Sequence, residues 1–473
     1  MLALLASPSL LACGDSGRAS ASDSTDASSI TQMGITLTNG VSATTPTSDG
    51  SASDSAGSSG SSSSSSADTG NPVSDSNSNS NSNSNSNSGG PKFDLGVTPD
   101  AGTGCAGGGD IDTSYIWIPS TSDGWVVKIN TRTLIEEARY LTGPSGGSES
   151  VSRTAVSGDG RFAVVNARGT GRSTAFAASL EDCKDQNGDG MITTSTGPGD
   201  VKPWMGDECM AWTLVHGGWD GGQTHGPRGI SWTSGDWDEA TCSFINQKVW
   251  LGYSGAGNTA HFIRLDGPTG AVEQDLLAPN WNGSGYAPYG GALDKLQRPW
   301  FTGLRGELAR VETGQNPITI TRIPQPGNIQ SYGMTVDPDG NPWMGGCSGP
   351  VSTYDVATSQ WITIPGTNAC HRGMAVDHNF HVWVASNGPC GLVEIDGKTR
   401  TLVAQHQLAQ CSTPIGVSVD VDGFVWLVDQ EGWAWKIDTA NVGAMQQIPV
   451  QGSHYVYSDM TGGQLKSVSP PAG

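Results

Sequence analysis

The sequence predicts an all-β fold: a seven-bladed β-propeller preceded by a disordered Ser/Asn-rich tether. Three observations carry that prediction. A phrase of alternating apolar residues, an Asp-Gly-type turn and an aromatic strand recurs about every 40 residues in the C-terminal part of the chain. Period-2 alternation with Gly-bearing turns marks antiparallel strands, and a period near 40 with several short strands per unit marks propeller blades. All 16 Trp and all 9 Tyr of the 473 residues lie from Cys105 onward, whereas residues 14–104 contain neither. The density of Gly, Trp and Asp-Gly turns excludes helical repeats of similar length.

Taken in order, the chain starts with a short apolar stretch ending in Leu10-Leu11-Ala12-Cys13, followed by Gly14. This resembles the lipobox of bacterial lipoproteins, which implies a signal peptide over 1–12 and a diacylglycerol on the Cys13 sulfur. Only twelve residues precede Cys13 and none is Lys or Arg, so the leader is expected to begin further upstream. Residues 13–104 form the tether, with a six-residue Ser run at Ser61–Ser66 and a Ser-Asn alternation within Ser76–Ser88. Such a segment cannot bury enough apolar surface to offset its chain entropy, and it acts as a flexible spacer. The expected address is outside the cytoplasm, on the outer membrane or cell surface, with the membrane as a partner through the lipid.

The formal net charge of −21 argues against nonspecific nucleic-acid binding, which needs a cationic stripe. No stretch approaches the ~18 apolar residues of a membrane span. The head is expected to be a monomer.

Residues 105–473 carry the blades. The anchor phrase appears as Arg228-Gly-Ile-Ser, Tyr289-Gly-Gly-Ala-Leu-Asp, Tyr332-Gly-Met-Thr-Val-Asp, Arg372-Gly-Met-Ala-Val-Asp and Ile415-Gly-Val-Ser-Val-Asp, with a weaker copy at Arg153. Aromatic strands follow at Trp250, Trp300, Trp343, Trp383 and Trp426. Insertions near 179–215 and 233–247 lengthen two of the intervals. Residues 114–141 supply three strands of a blade that lacks its first. His454-Tyr-Val-Tyr-Ser-Asp at the other end supplies a first strand without the rest, so a shared blade closes the ring at seven.

The X-Gly-Φ-x-Φ-Asp…Gly-x-Φ-Trp pattern resembles NHL-type repeats and the streptogramin B (virginiamycin B) lyase superfamily of seven-bladed propellers, over roughly residues 114–460. The resemblance implies the fold. Lyase activity in that group is a magnesium-assisted elimination that uses a His and a Glu-x-His pair after a Trp-Phe-Thr-Glu strand. Here Trp300-Phe301-Thr302 is followed by Gly303, and no Glu-x-His occurs, so no catalytic residue carries over. The expected function is a lipid-anchored binding module for an anionic or saccharide ligand. The alternative is a lyase-like propeller enzyme with a diverged catalytic set.

Setting Cys13 aside, eight cysteines in an exported chain read as four disulfides. Cys347 and Cys390 sit just after Trp strands, and Cys370 and Cys411 just before the next Gly strands. Pairs Cys347–Cys370 and Cys390–Cys411 would staple neighbouring blades, whereas Cys370–Cys390 would leave the other two stranded. Cys183 and Cys209 bracket the first insertion, leaving Cys105 with Cys242.

Two candidate sites follow. Asp185, Asn187 and Asp189, with Gly190 at the sixth position, resemble the start of an EF-hand-like calcium loop. Thr196 stands at position 12 where that loop has Glu, so a structural calcium ion needs another carboxylate such as Asp200. The second site is the residue before each Gly position of the repeat: Arg153, Arg228, Tyr289, Tyr332, Arg372, Ile415 and His454. Equivalent positions of the innermost strands share one height around a propeller channel. Guanidinium and phenol groups there suit anionic or polyhydroxylated ligands, or else fill the channel mouth as packing.

Overall fold

In the computed structural model, residues 114–463 are described. The signal peptide, Cys13, the tether and Cys105 lie outside these residues. The strands form seven antiparallel sheets arranged in sequence, six of them four-stranded, plus one two-stranded hairpin. The six complete blades have innermost strands Val151–Val156, Ile230–Trp232, Gly290–Leu293, Gly333–Val336, His371–Val376 and Pro414–Val419, each adjacent to the next. These belong to blades 2 to 7.

Two features of the repeated phrase explain why it repeats. The first is the glycine, which allows inner strands to meet backbone to backbone. A Cβ on Gly333 would lie 2.3 Å from the Arg372 carbonyl oxygen, and one on Gly373 would lie 2.5 Å from that of Ile415. The second is the Asp at the end of the phrase. Its carboxylate caps the following hairpin turn and accepts a hydrogen bond from the indole N–H six residues later. The pairs are Asp294–Trp300 (3.3 Å), Asp337–Trp343 (2.9 Å), Asp377–Trp383 (2.9 Å) and Asp420–Trp426 (2.8 Å). One carboxylate thus fixes the turn and locks the second strand of the blade, while the indole fills the space between blades. Trp343, for example, packs with Met374, Val376, Val382 and Val384 of the next blade.

Blade 1 contains the strands Tyr115–Ser120, Trp125–Asn130 and Glu136–Leu141. Its innermost position is taken by the segment from Ser453 to Met460, as the sequence implies, though not as a regular strand. Trp117 N–H donates to the Met460 carbonyl (2.9 Å) and Thr121 N–H to that of Ser453 (2.8 Å). Hydroxyls from the two flanking blades complete the seam. Thr154 Oγ1 donates to the Asp459 carbonyl, and Met460 N–H donates to Ser418 Oγ, each at 2.9 Å.

The first insertion separates the third strand of blade 2, Arg172–Ala177, from its fourth, Met210–Val215, so residues 210–215 belong to the blade itself. The second insertion contains a small hairpin, Asp236–Asp238 with Ser243–Ile245. Disulfides join Cys183 to Cys209, Cys347 to Cys370 and Cys390 to Cys411, the pairings argued from blade geometry. The last two close loops of about two dozen residues between successive blades, and closures of this size stabilise by roughly 2–4 kcal/mol in the chain-entropy account. Cys242 is disulfide-bonded; its expected partner, Cys105, is not among the described residues.

Candidate functional site: an arginine–tyrosine cluster in the channel

The anchor positions converge only in part. Arg153 and Arg228 are wholly buried and Tyr289 is 1 % exposed. Arg153, on the inner strand of blade 2, reaches across the ring. Its Nη2 lies 3.2 Å from the carbonyl oxygens of both Tyr289 and Tyr332, which head blades 4 and 5. The Tyr289 ring is shared by two cations, with the Arg153 guanidinium 5.2 Å and that of Arg228 4.7 Å from its centroid. Tyr332 packs edge-on against Tyr289 and Tyr457. Leu304, Ile415 and Val456 belong to the same buried apolar cluster as Tyr289, Tyr332 and Tyr457.

The other two anchors differ. Arg372 is partly exposed, and its Nη1 donates to the Asn387 side chain. His454 turns away from the channel: Nδ1 lies 2.9 Å from the Pro119 carbonyl and Nε2 3.2 Å from that of Val450. It braces the seam of blade 1, and burial lowers its pKa.

Several members of the cluster do not stand at the anchor position. Tyr455 and Tyr457 come from the closing segment, Tyr286 from the loop before blade 4, and Arg168 from blade 2. Arg168 lies 4.4 Å from the Tyr455 centroid, Arg153 4.1 Å from that of Tyr457, and Arg228 5.4 Å from that of Tyr286. The Tyr289 and Tyr455 hydroxyls are hydrogen-bonded to each other. The result is an alternation of three cations with aromatic rings, each ring face offering its negative quadrupole to a guanidinium. Burial pulls the Arg153 pKa down to about 10, and the neighbouring Arg228 charge acts in the same direction. Burial also raises the Tyr289 and Tyr457 phenols, so both stay neutral donors at physiological pH.

No protein-family model and no curated protein matches this chain. Solved structures are similar to it in fold. Apo AztD from Citrobacter koseri aligns with a TM-score of 0.46 at 12% identity, over 73% of this chain and 97% of that one. Virginiamycin B lyase from Staphylococcus aureus aligns with a TM-score of 0.45 at 16% identity, over 68% and 93%. A catalytically inactive form of that lyase with quinupristin gives 0.42 and 17% over the same shares.

In the first insertion, Asp185, Asn187 and Asp189 fold back on the loop. Asp185 accepts from the N–H groups of Gly188 (2.6 Å) and Gly190 (2.8 Å), Asn187 from Asp189 N–H (2.8 Å), and Asp189 from Met191 N–H (2.9 Å). Those N–H groups hold the Asp185 carboxyl below its usual range. Gly190 has φ +83°, which the sharp turn at the sixth position requires. Asp200 is occupied elsewhere, by Thr196 and Lys202. The carboxylate at the loop is instead Glu208, whose oxygens accept from Gln186, Asn187 and Thr193 N–H. The Cys183–Cys209 bond brings it there.

A Ser–His contact also appears in blade 2, with Ser173 Oγ 2.8 Å from His216 Nε2 and 2.6 Å from Asn166 Oδ1. Ser173 is wholly buried, no carboxylate among the described residues orients the imidazole, and burial lowers the His216 pKa to about 3. The arrangement is a sealed polar contact within the fold.

Proposed function

We propose that the protein is an exported, lipid-tethered recognition module. In this reading the propeller head binds an anionic ligand at the channel, and the Ser/Asn tether holds it away from a membrane gripped by lipidated Cys13. The observation that carries the reading is the cluster itself: Arg153, Arg168 and Arg228 interleave with Tyr286, Tyr289, Tyr455 and Tyr457, in a chain whose net charge is −21. Guanidinium and neutral phenol groups are hydrogen-bond donors suited to an anion, and aromatic faces suit the body that carries it.

The disulfides support the address, because such bonds persist in an oxidising compartment. Among the described residues no helix is long and apolar enough to cross a membrane, and the attachment in this reading is the lipid. Calcium bound by Asp185, Asn187 and Asp189, with Glu208 supplying the missing carboxylate, would rigidify the first insertion.

The test is isothermal titration of the full chain with acidic monosaccharides, small dicarboxylates and their neutral analogues. Arg372, a partly exposed anchor outside the buried cluster whose charge acts on Tyr457, is the residue to vary. The expected result is binding of an acidic compound but not its neutral analogue, weakened by about 1.5–3 kcal/mol in Arg372→Ala, the worth of a hydrogen bond to a charged group. Binding that does not distinguish acid from neutral, or that ignores Arg372, would overturn the assignment.

A further inference from the structure

Arg153 is a buried cation whose hydrogen bonding is incomplete. Its Nη2 is divided between two carbonyl oxygens at 3.2 Å, a long distance for a charged donor, while Nε and Nη1 have no partner among the described residues. Among the described residues no carboxylate pairs with it, and the Arg228 charge, which has the same sign, acts on it unfavourably. The faces of Tyr289, Tyr455 and Tyr457 offset part of the lost hydration. They do not satisfy the N–H groups in the guanidinium plane. A buried charge without a counter-charge is strongly unfavourable, and proteins meet that condition by pairing the charge.

We propose that the channel holds a compact monovalent anion against Arg153 Nε or Nη1, close to the Arg228 guanidinium. The group is a halide ion or the carboxylate end of a longer ligand. Its size follows from the enclosure: Arg153 and Arg228 are wholly buried and Tyr289 is 1 % exposed, so anything bulkier would have to displace the rings. The proposal deepens the recognition reading above and rests on it for the longer ligand. A resident halide stands without that reading.

The experiment uses the full chain, dialysed exhaustively into sodium gluconate, whose anion is too bulky for the enclosure. Melting temperature is followed as chloride, bromide or acetate replaces gluconate at constant ionic strength. A group that binds only the native state raises stability by RT ln(1 + [L]/Kd), so each tenfold rise in anion above Kd should add a constant increment to the melting temperature. Chloride-35 NMR of the same samples should show excess linewidth that competing anion removes. A response to halide identifies a resident ion; a response to acetate alone identifies a ligand carboxylate.

Arg153→Met should abolish both signals, and Arg228→Lys, which keeps the charge, should retain a weaker form should the Met variant not fold. Identical melting in all salts with no excess linewidth would overturn the proposal, as would an anion response that persists in Arg153→Met. Acidic-ligand binding that survives in gluconate with a flat salt series would leave the recognition reading standing without this seat. An anion response without any bound acidic ligand would remove that reading and leave the seat.

Discussion

Replacing Asp377 by Asn should destabilise the head almost as much as replacing it by Ala, although Asn has nearly the same shape. The carboxylate receives donors on both oxygens. Oδ1 accepts from the N–H groups of Asn379 and His381, and Oδ2 from the Trp383 indole, all at 2.9 Å. A carboxylate can accept at both ends, whereas an amide must present its NH2 group to one set of donors. In either orientation, the substituted amide places a donor against a donor.

The turn amides lie near solvent and can recover a water. Trp383 is wholly buried and its N–H cannot. Leaving a buried donor unsatisfied costs about 1–3 kcal/mol, and the weakened turn adds up to ~1 kcal/mol. The expected loss for Asp377→Asn is therefore about 1–4 kcal/mol. Trp383→Phe removes the indole donor, so a double-mutant cycle with Asp377→Asn should give a coupling energy of about 1–2 kcal/mol. Urea denaturation with the disulfides intact measures both quantities. An Asp377→Asn stability within ~0.5 kcal/mol of the parent, or a coupling energy of zero, would refute the clamp as the reason the Asp…Trp spacing recurs.

Cys13→Ser should shift the full-length protein from the membrane pellet to the supernatant after a salt wash, because the acyl chains supply the membrane affinity. Calcium at a hundredfold excess over Kd should stabilise the head by ~2.7 kcal/mol, with the gain lost in Asp185→Ala and in chelator; differential scanning calorimetry reads both. The His216 ring should show no NMR titration between pH 8 and 4, because burial holds its pKa at about 3. Since the unfolded chain binds that proton near pH 6.5 and the native state does not, the His216 contribution to stability is present above pH 6.5 and is lost as the pH falls toward 3. Asp420 works in the opposite direction: burial raises its pKa to about 6, so its contribution weakens as pH rises from about 4 to 6.

The parts of this structure that were legible in the sequence are those set by short-range rules. Asp and Trp six residues apart, a Gly where two backbones meet, and cysteines about two dozen residues apart all declare themselves within one hairpin or one blade step. The channel cluster did not, because its composition depends on packing across the ring. Arg168 precedes no anchor glycine, yet it lies on the Tyr455 ring. Tyr455 stands where blades 3 to 7 have that glycine, so a bulky ring occupies a place that in those blades is reserved for backbone contact. His454 shares the repeat position of Arg372 but turns toward the carbonyls of Pro119 and Val450, which belong to the seam. Glu208 is remote from Asp185 in sequence, and the bond between Cys183 and Cys209, together with the hydrogen bonds of Glu208 to the loop, makes them neighbours.

The seam blade shows what the clamp contributes by lacking it. Asp459 and Trp117 occupy the repeat positions of Asp377 and Trp383, but they come from opposite ends of the described chain, so no hairpin turn connects them. Asp459 caps its own following residues instead, accepting from Thr461 N–H (3.0 Å) and Gly462 N–H (2.9 Å). Trp117 Nε1 is left wholly buried and, among the described residues, without a partner. Closure rests instead on backbone hydrogen bonds, on side-chain contacts that include the hydroxyls of Thr154 and Ser418 and the His454 imidazole, and on the burial of Val456 and Met460. The same short segment carries Tyr455 and Tyr457, the rings that hold Arg153 and Arg168. The arginine–tyrosine cluster and the closure of the ring thus draw on one stretch of chain, and a ligand seated on those rings would also hold the propeller shut.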